Sequence, residues 1–221
     1  MGEAKRITIV LIDDQAIVRA AFKSLLQSGG RFQVVGDAGD ARKGIELVGE
    51  LQPEVAILDV TMDGLSGLDA VAPIKRVSPR TRVLMVSQHE GMKFVQQALQ
   101  AGADGYLSKG SDPEELNFAI DSIVRGDPYL SPKVSSGFMA RAVRGEVPTS
   151  DEASVLSVLT PREREVFQLL AIGKANKEVA AVLKLSVGTV KKHRENLQRK
   201  LDCYSVAELA RIAIREGLLD V

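Results

Sequence analysis

The sequence predicts an α/β fold, a five-stranded, doubly wound parallel sheet, followed by an all-α unit of four helices that contains a helix-turn-helix. Three observations predict it. Val55-Ala56-Ile57-Leu58 is apolar without alternation, the pattern of a strand covered on both faces, as parallel sheets demand. Five candidate strands recur at intervals of roughly 20 to 25 residues with helical periodicity between them, as βα units require. Beyond residue 158 the strand patterns stop, and four successive helix-start signals take their place.

The strands are expected at Ile7–Ile12, Gln33–Gly36, Val55–Leu58, Arg82–Val86 and Gly105–Leu107. Between the first two, Ile17, Val18, Ala21, Phe22, Leu25 and Leu26 form one apolar stripe closed by Gly29-Gly30. After the fifth, Asp112-Pro113-Glu114-Glu115 reads as N-cap, N1 proline and N3 glutamate of a helix burying Leu116, Ile120, Ile123 and Val124.

Composition bounds the function. The 221 residues suffice for two ordinary domains, and 45% hydrophobic with 26% charged residues is the balance of a soluble globular protein. The single Cys203 cannot form an internal disulfide, and no secretory signal or membrane-length apolar run appears. A reducing, cytoplasmic setting away from the membrane is expected. The zero net charge conceals an asymmetry: residues 1–126 hold 14 Lys+Arg against 17 Asp+Glu, while residues 159–221 hold 12 against 8. An acidic front and a basic back suggest two domains with different partners.

Chemistry collects where the strands end. The first strand runs into Asp13-Asp14, the third into Asp59, the fourth into Ser87, and the fifth leads to Lys109. Open α/β sheets bind their ligands outside the carboxyl ends of the strands, so these side chains should share one crevice. Three converging carboxylates repel unless a cation is shared, and magnesium suits an oxygen-only set that leaves room for phosphate oxygens. A carboxylate can attack phosphorus and form an aspartyl phosphate. The transferred group then needs a cation, supplied by the metal and Lys109, and a hydroxyl donor, supplied by Ser87. Taken singly, Asp13 could cap a helix, Ser87 could sit in a turn, and Lys109 could be a solvated charge. Their joint position outweighs those readings.

With Asp13/Asp14, Asp59, Ser87, Tyr106 and Lys109 in these places, residues 5–126 resemble the flavodoxin-like receiver domain of two-component response regulators. The resemblance implies that a partner histidine kinase phosphorylates Asp59. It makes Asp14, Asp59 and the backbone carbonyl of Thr61 ligands to Mg2+, with Asp13 acting through water. It implies that Ser87 and Tyr106 reorient when Asp59 is modified, and that Thr61 and His89 tune dephosphorylation. Two departures stand out: Asp63 replaces the usual proline of the loop after Asp59, and Gly110 stands where many receivers have proline.

From residue 127 to 157 periodicity lapses into Gly, Pro and Ser clusters, read as a linker with at most a short helix over Gly137–Val143. The domain spanning 158–221 is sharply punctuated. Thr160-Pro161-Arg162-Glu163 is a capping box with N1 proline, and that helix should stop near Gly173. Asn176 is expected to cap the second helix and Ser186 the third, which turns Val190, Leu197 and Leu201 inward. Ser205-Val206-Ala207-Glu208 opens the fourth, ended by Gly217. Two short helices joined by a tight turn, the second loaded with cations, describe a helix-turn-helix.

Leu159–Val166, Asn176–Ala180 and Thr189–His193 resemble the DNA-binding domain of NarL/LuxR regulators, with Ala175 in place of a usual serine and Val206 in place of a common arginine. The resemblance implies a homodimer on an inverted-repeat duplex, with Thr189, Lys191, Lys192, Glu195 and Arg199 toward the DNA. The whole chain then reads as a non-enzymatic, phosphorylation-controlled transcription factor. On a tether of roughly 30 residues, the unphosphorylated receiver is expected to occlude the recognition helix or block dimerisation. Two rivals exist. An aspartyl-nucleophile phosphatase would need an acid-base carboxylate two residues after Asp59, where Thr61 stands instead. An interaction protein that never carries phosphate would have no use for the intact acidic set.

Overall fold

The computed structural model describes residues 6–62, 64–89, 91–136 and 158–216. The expected helix over Gly137–Val143 and the stop at Gly217 lie outside them. The chain divides into two units near residue 148. Each is described by itself.

In the first unit six parallel strands stand in the order β2-β1-β3-β4-β5-β6. They are β1 (Ile7–Ile12), β2 (Phe32–Ala38), β3 (Val55–Asp59), β4 (Arg82–Ser87), β5 (Gly105–Ser108) and β6 (Tyr129–Leu130). The helices between them are α1 (Ala16–Ser28), α2 (Ala41–Leu51), α3 (Gly67–Val77), α4 (Met92–Ala101) and α5 (Pro113–Arg125). Strand order reverses between β1 and β3, which opens the crevice at their carboxyl ends.

The unalternating runs behave as expected, with every residue of β3 buried. Strand periodicity then sorts them. Ile9, Leu11, Ile57, Val86 and Leu107 join Leu26 of α1 and Leu116, Ile120 and Ile123 of α5 in one core. Leu11, Ile57 and Leu107 lie two residues before Asp13, Asp59 and Lys109, so the alternation sends those three ionisable groups out on one side.

The structure corrects the sequence reading in two places here. The sheet has a sixth strand, β6, whose Tyr129 and Leu130 pair with Gly105 and Tyr106. Two residues are too few to show periodicity, so the segment read as linker. On α1, Ile17 is 86% exposed and Ala21 is also exposed, so the core stripe is Val18, Phe22, Leu25 and Leu26. Consecutive residues on a helix differ by 100°, and an apolar side chain at the edge of the stripe is not committed inward. At α5 the N-cap, the N1 proline and the N3 glutamate fall where expected, at Asp112, Pro113 and Glu115; the Asp112 side chain makes no capping bond, and Glu115 accepts from the Tyr129 hydroxyl at 3.0 Å. Burial and that carboxylate push the Tyr129 phenol up to about 12.

The second unit is helical: α6 (Pro161–Ala171), α7 (Asn176–Leu183), α8 (Val187–Leu201) and α9 (Val206–Arg215). Its core joins Val166, Phe167 and Leu170 of α6 to Val179, Leu183, Val190, Leu197, Leu209 and Ala213. The capping boxes at Thr160/Glu163 and Ser205/Glu208 form, and Ser186 caps α8 by accepting from the Thr189 N–H at 3.0 Å. The start of α7 differs. Ala175 is its N-cap and Asn176 already its first helical residue. Glu178 still reaches back to accept from the Ala175 N–H at 2.7 Å. Half of a capping box is in place, and the hydroxyl half is missing because alanine carries no acceptor.

Candidate phosphoacceptor pocket and basic helix

Asp13, Asp14 and Asp59 bring one carboxylate oxygen each within 4.8 Å of one another. Asp13 and Asp59 are almost fully buried and Asp14 is exposed. Lys109 Nζ reaches both buried carboxylates, at 2.8 Å from Asp13 Oδ2 and 2.8 Å from Asp59 Oδ2. Its own burial disfavours the charge, yet the two carboxylates hold the ammonium above its usual range. Burial pushes the Asp59 carboxyl up to about 6, against the pull of Lys109 and the Thr61 backbone. Oxygen-only donors, two of them withdrawn from water, form a set suited to a hard divalent cation.

The loops hold this arrangement by close backbone contact. The Gly67 N–H, at the start of α3, donates to the Val60 carbonyl at 3.0 Å. A Cβ on Gly67 would lie 1.8 Å from the Asp59 carbonyl oxygen, so only glycine lets α3 begin this near the acceptor strand.

On the other flank, Ser87 is buried and its Oγ accepts from the His89 N–H at 3.1 Å. The Lys109 N–H donates to the Ser87 carbonyl at 2.8 Å, which links the serine and lysine loops. Tyr106 is fully buried, and its hydroxyl donates to the His89 carbonyl at 2.7 Å. The His89 ring stacks on Phe94 with centroids 4.6 Å apart, and its Nε2 lies 3.2 Å from Thr61 Oγ1. The sequence signals missed Phe94 and the double use of the His89 backbone, because neither has a motif.

In the second unit, Lys191 and Lys192 stand four and three residues before Glu195, and Arg199 four after it, along α8, and all are exposed. Thr189 is half-buried at the helix start, beside the Ser186 hydroxyl at 2.8 Å. Arg199 is held by Asn196 Oδ1 at 3.0 Å. Lys200, nine residues after Lys191, has a different task. Its Nζ lies 2.6 Å from Glu163 Oε2, and Glu163 is only 4% exposed. Burial would raise that carboxyl, but Lys200 and the Thr160 donors hold it below its ordinary range.

Comparison with known proteins places these two units. The response regulator receiver domain model matches residues 9–121, and the model of bacterial regulatory proteins of the luxR family matches residues 157–213. The chain belongs to the LuxR-family response regulators. The regulator is 33% identical over 219 residues to the transcriptional regulatory protein MctR of Rhizobium johnstonii, covering 99% of this chain and 98% of that one. It is 36% identical over 205 residues to the nitrate/nitrite response regulator protein NarP of Escherichia coli, covering 93% of each. A two-component response regulator of the LuxR family from Aurantimonas superposes with a TM-score of 0.60 at 33% identity, covering 63% of this chain and 99% of that one. The regulator therefore belongs among DNA-binding transcription factors, not among the aspartyl phosphatases. No helix among its described residues is long and apolar enough to cross a membrane.

Proposed function

We propose that the regulator is switched by phosphorylation of Asp59 from a partner histidine kinase, and that the switch controls a homodimer on an inverted-repeat DNA site. The observation that carries this reading is the Lys109 ammonium 2.8 Å from Asp59 Oδ2, within a cluster of three carboxylates. An Asp59 oxygen attacks the phosphorus of a phosphohistidine, the P–N bond breaks, and its electron pair returns to the imidazole, which takes up a proton. Asp59 is left as an acyl phosphate.

Asp14, Asp59 and the Thr61 carbonyl, with Asp13 through water, would hold Mg2+, which when bound supplies positive charge to the phosphoryl oxygens. Lys109 contributes a second cation to those oxygens, and the Ser87 hydroxyl a hydrogen bond. The Ser87 hydroxyl can donate it while still accepting from the His89 N–H, so a movement of Ser87 toward the phosphoryl group pulls on His89. The loop of His89 then shifts, and Tyr106, bonded to the His89 carbonyl, feels the change. Thr61 and His89 flank the phosphoryl group and set its lifetime by controlling water access. Lys191, Lys192 and Arg199 contact phosphates or base edges in the major groove, and Glu195 accepts from a cytosine amino group or orients a neighbouring lysine. A cytoplasmic location fits these partners.

The test is labelling by a small phosphodonor with Mg2+. Asp59→Asn should abolish it and Asp14→Ala should impair it. Intact labelling of Asp59→Asn would move the acceptor elsewhere.

A further inference from the structure

Arg19, on the first turn of α1, lines the same small cavity as Asp13 and Asp59. Its guanidinium makes two bonds at once. Nη1 donates to the backbone carbonyl of Asp13 at 2.5 Å, and Nε pairs with Asp37 Oδ2 on β2 at 3.3 Å. The Arg19 side chain is 18% exposed, so it lies pressed against the protein. Gly39, just beyond β2, makes the room: a Cβ there would lie 3.3 Å from Arg19 Nη1. Three segments, the turn after β1, the first turns of α1 and the end of β2, therefore meet on one planar cation.

That turn needs restraint. It carries Asp13 and Asp14, whose carboxylates face a third on Asp59; Lys109 bridges Asp13 and Asp59, and one cation among three carboxylates leaves repulsion that bears on this turn. The Asp13 N–H is held by the Ala38 carbonyl at 3.1 Å, and Arg19 holds the carbonyl side of the same residue. A lysine ammonium offers its donors from a single atom, whereas the guanidinium serves these two acceptors from separate nitrogens, Nη1 and Nε, in a rigid fork.

We infer that Arg19 is a positioning residue for the acidic pocket: braced by Asp37, it fixes the Asp13-Asp14 turn at the separation from Asp59 that a divalent cation requires. This inference rests on the proposed metal-dependent phosphorylation of Asp59. It differs from a purely structural role in what it affects. Loss of the brace should loosen the carboxylate geometry and so weaken cation binding, while Asp59 and Lys109, which Arg19 does not touch, keep the maximal rate.

The test uses the full-length protein and two readouts: Mg2+ binding by calorimetry without phosphodonor, and initial rates of Asp59 labelling by a small phosphodonor across Mg2+ concentration. Arg19→Lys and Arg19→Gln should weaken Mg2+ binding and raise the half-saturating concentration by about tenfold, the lower end of losses seen when groups that orient metal ligands are removed. The rate at saturating Mg2+ should stay near that of the wild type. Asp37→Asn should give a smaller rise, and adding it to Arg19→Gln should change little, because the two act through one contact. Unaltered Mg2+ affinity in Arg19→Lys, which retains charge and bulk, overturns the inference while wild-type Mg2+ binding stands. Wild-type protein that binds no Mg2+ overturns the metal reading itself.

Discussion

The Tyr106 phenol donates to the carbonyl of His89 at 2.7 Å, and the N–H of that same His89 is held by the Ser87 hydroxyl at 3.1 Å. The backbone of one residue thus joins the Ser87 hydroxyl to a fully buried aromatic on β5. Tyr106→Phe keeps the ring and removes the bond. It should cost about 0.5–1.5 kcal/mol in urea denaturation and leave Asp59 labelling rates unchanged. Phosphorylation should then raise DNA affinity less than in the wild type. A full gain in Tyr106→Phe would disconnect this bond from the output.

The Asp59 carboxyl, raised from 3.8 to about 6 by burial, makes stability depend on pH in a defined direction. The folded state holds this proton more tightly than the unfolded state. The associated stability is therefore complete below pH 3.8 and is lost as pH rises through about 6. Asp59→Asn, which cannot ionise, should gain on the wild type across that window, by up to about 3 kcal/mol at neutral pH. Urea denaturation in EDTA at several pH values reads the difference. A gain that shrank with rising pH would reverse the sign of the argument.

Gly67→Ala should damage both fold and site. Its Cβ would meet backbone, not a flexible side chain, 1.8 Å from the Asp59 carbonyl oxygen. A loss of about 1–3 kcal/mol is expected, with slower Asp59 labelling because α3 must retreat from β3. Wild-type labelling at undiminished stability would show that the loop has slack.

Ala175→Ser should stabilise the second unit. The Glu178 half of the box is already made, and a serine hydroxyl at the N-cap can accept from the N–H three residues on. A gain of about 1 kcal/mol in denaturation of the full chain is expected. No gain, or a loss, would mean that the hydroxyl cannot reach.

The cations of α8 should separate by role. Lys191→Ala should weaken DNA binding and lower the salt dependence by about one counterion, with little change in stability. Lys200→Ala strands the buried Glu163 and should cost more in stability than in counterion release. Binding measured at several salt concentrations, beside urea denaturation, distinguishes them. Equal effects of both on the salt slope would remove Lys200 from its structural place.

Local signals in the sequence were sufficient for much of this. Unalternating runs such as Val55–Leu58 need cover on both faces, and that requirement alone demands a parallel sheet with helices on either side. Polar residues that end those runs, Asp59 and Ser87, must then lie at one edge of the sheet. Thr160, Ser186 and Ser205 announced their helices because a cap is satisfied within four residues, a range over which sequence and structure are nearly the same thing.

Only tertiary structure decided the rest. Whether Ile17 or Val18 faced the core depended on how α1 rotates against β1. The pairing of Tyr129-Leu130 as a sixth strand depended on an open edge at β5, which no property of two residues reveals. The fork of Arg19 reaches an acceptor eighteen residues away, and Lys200 finds Glu163 across thirty-seven. Interactions within a turn of chain are written where they occur, whereas a charge brought to its partner by packing has a meaning that exists only once the packing does.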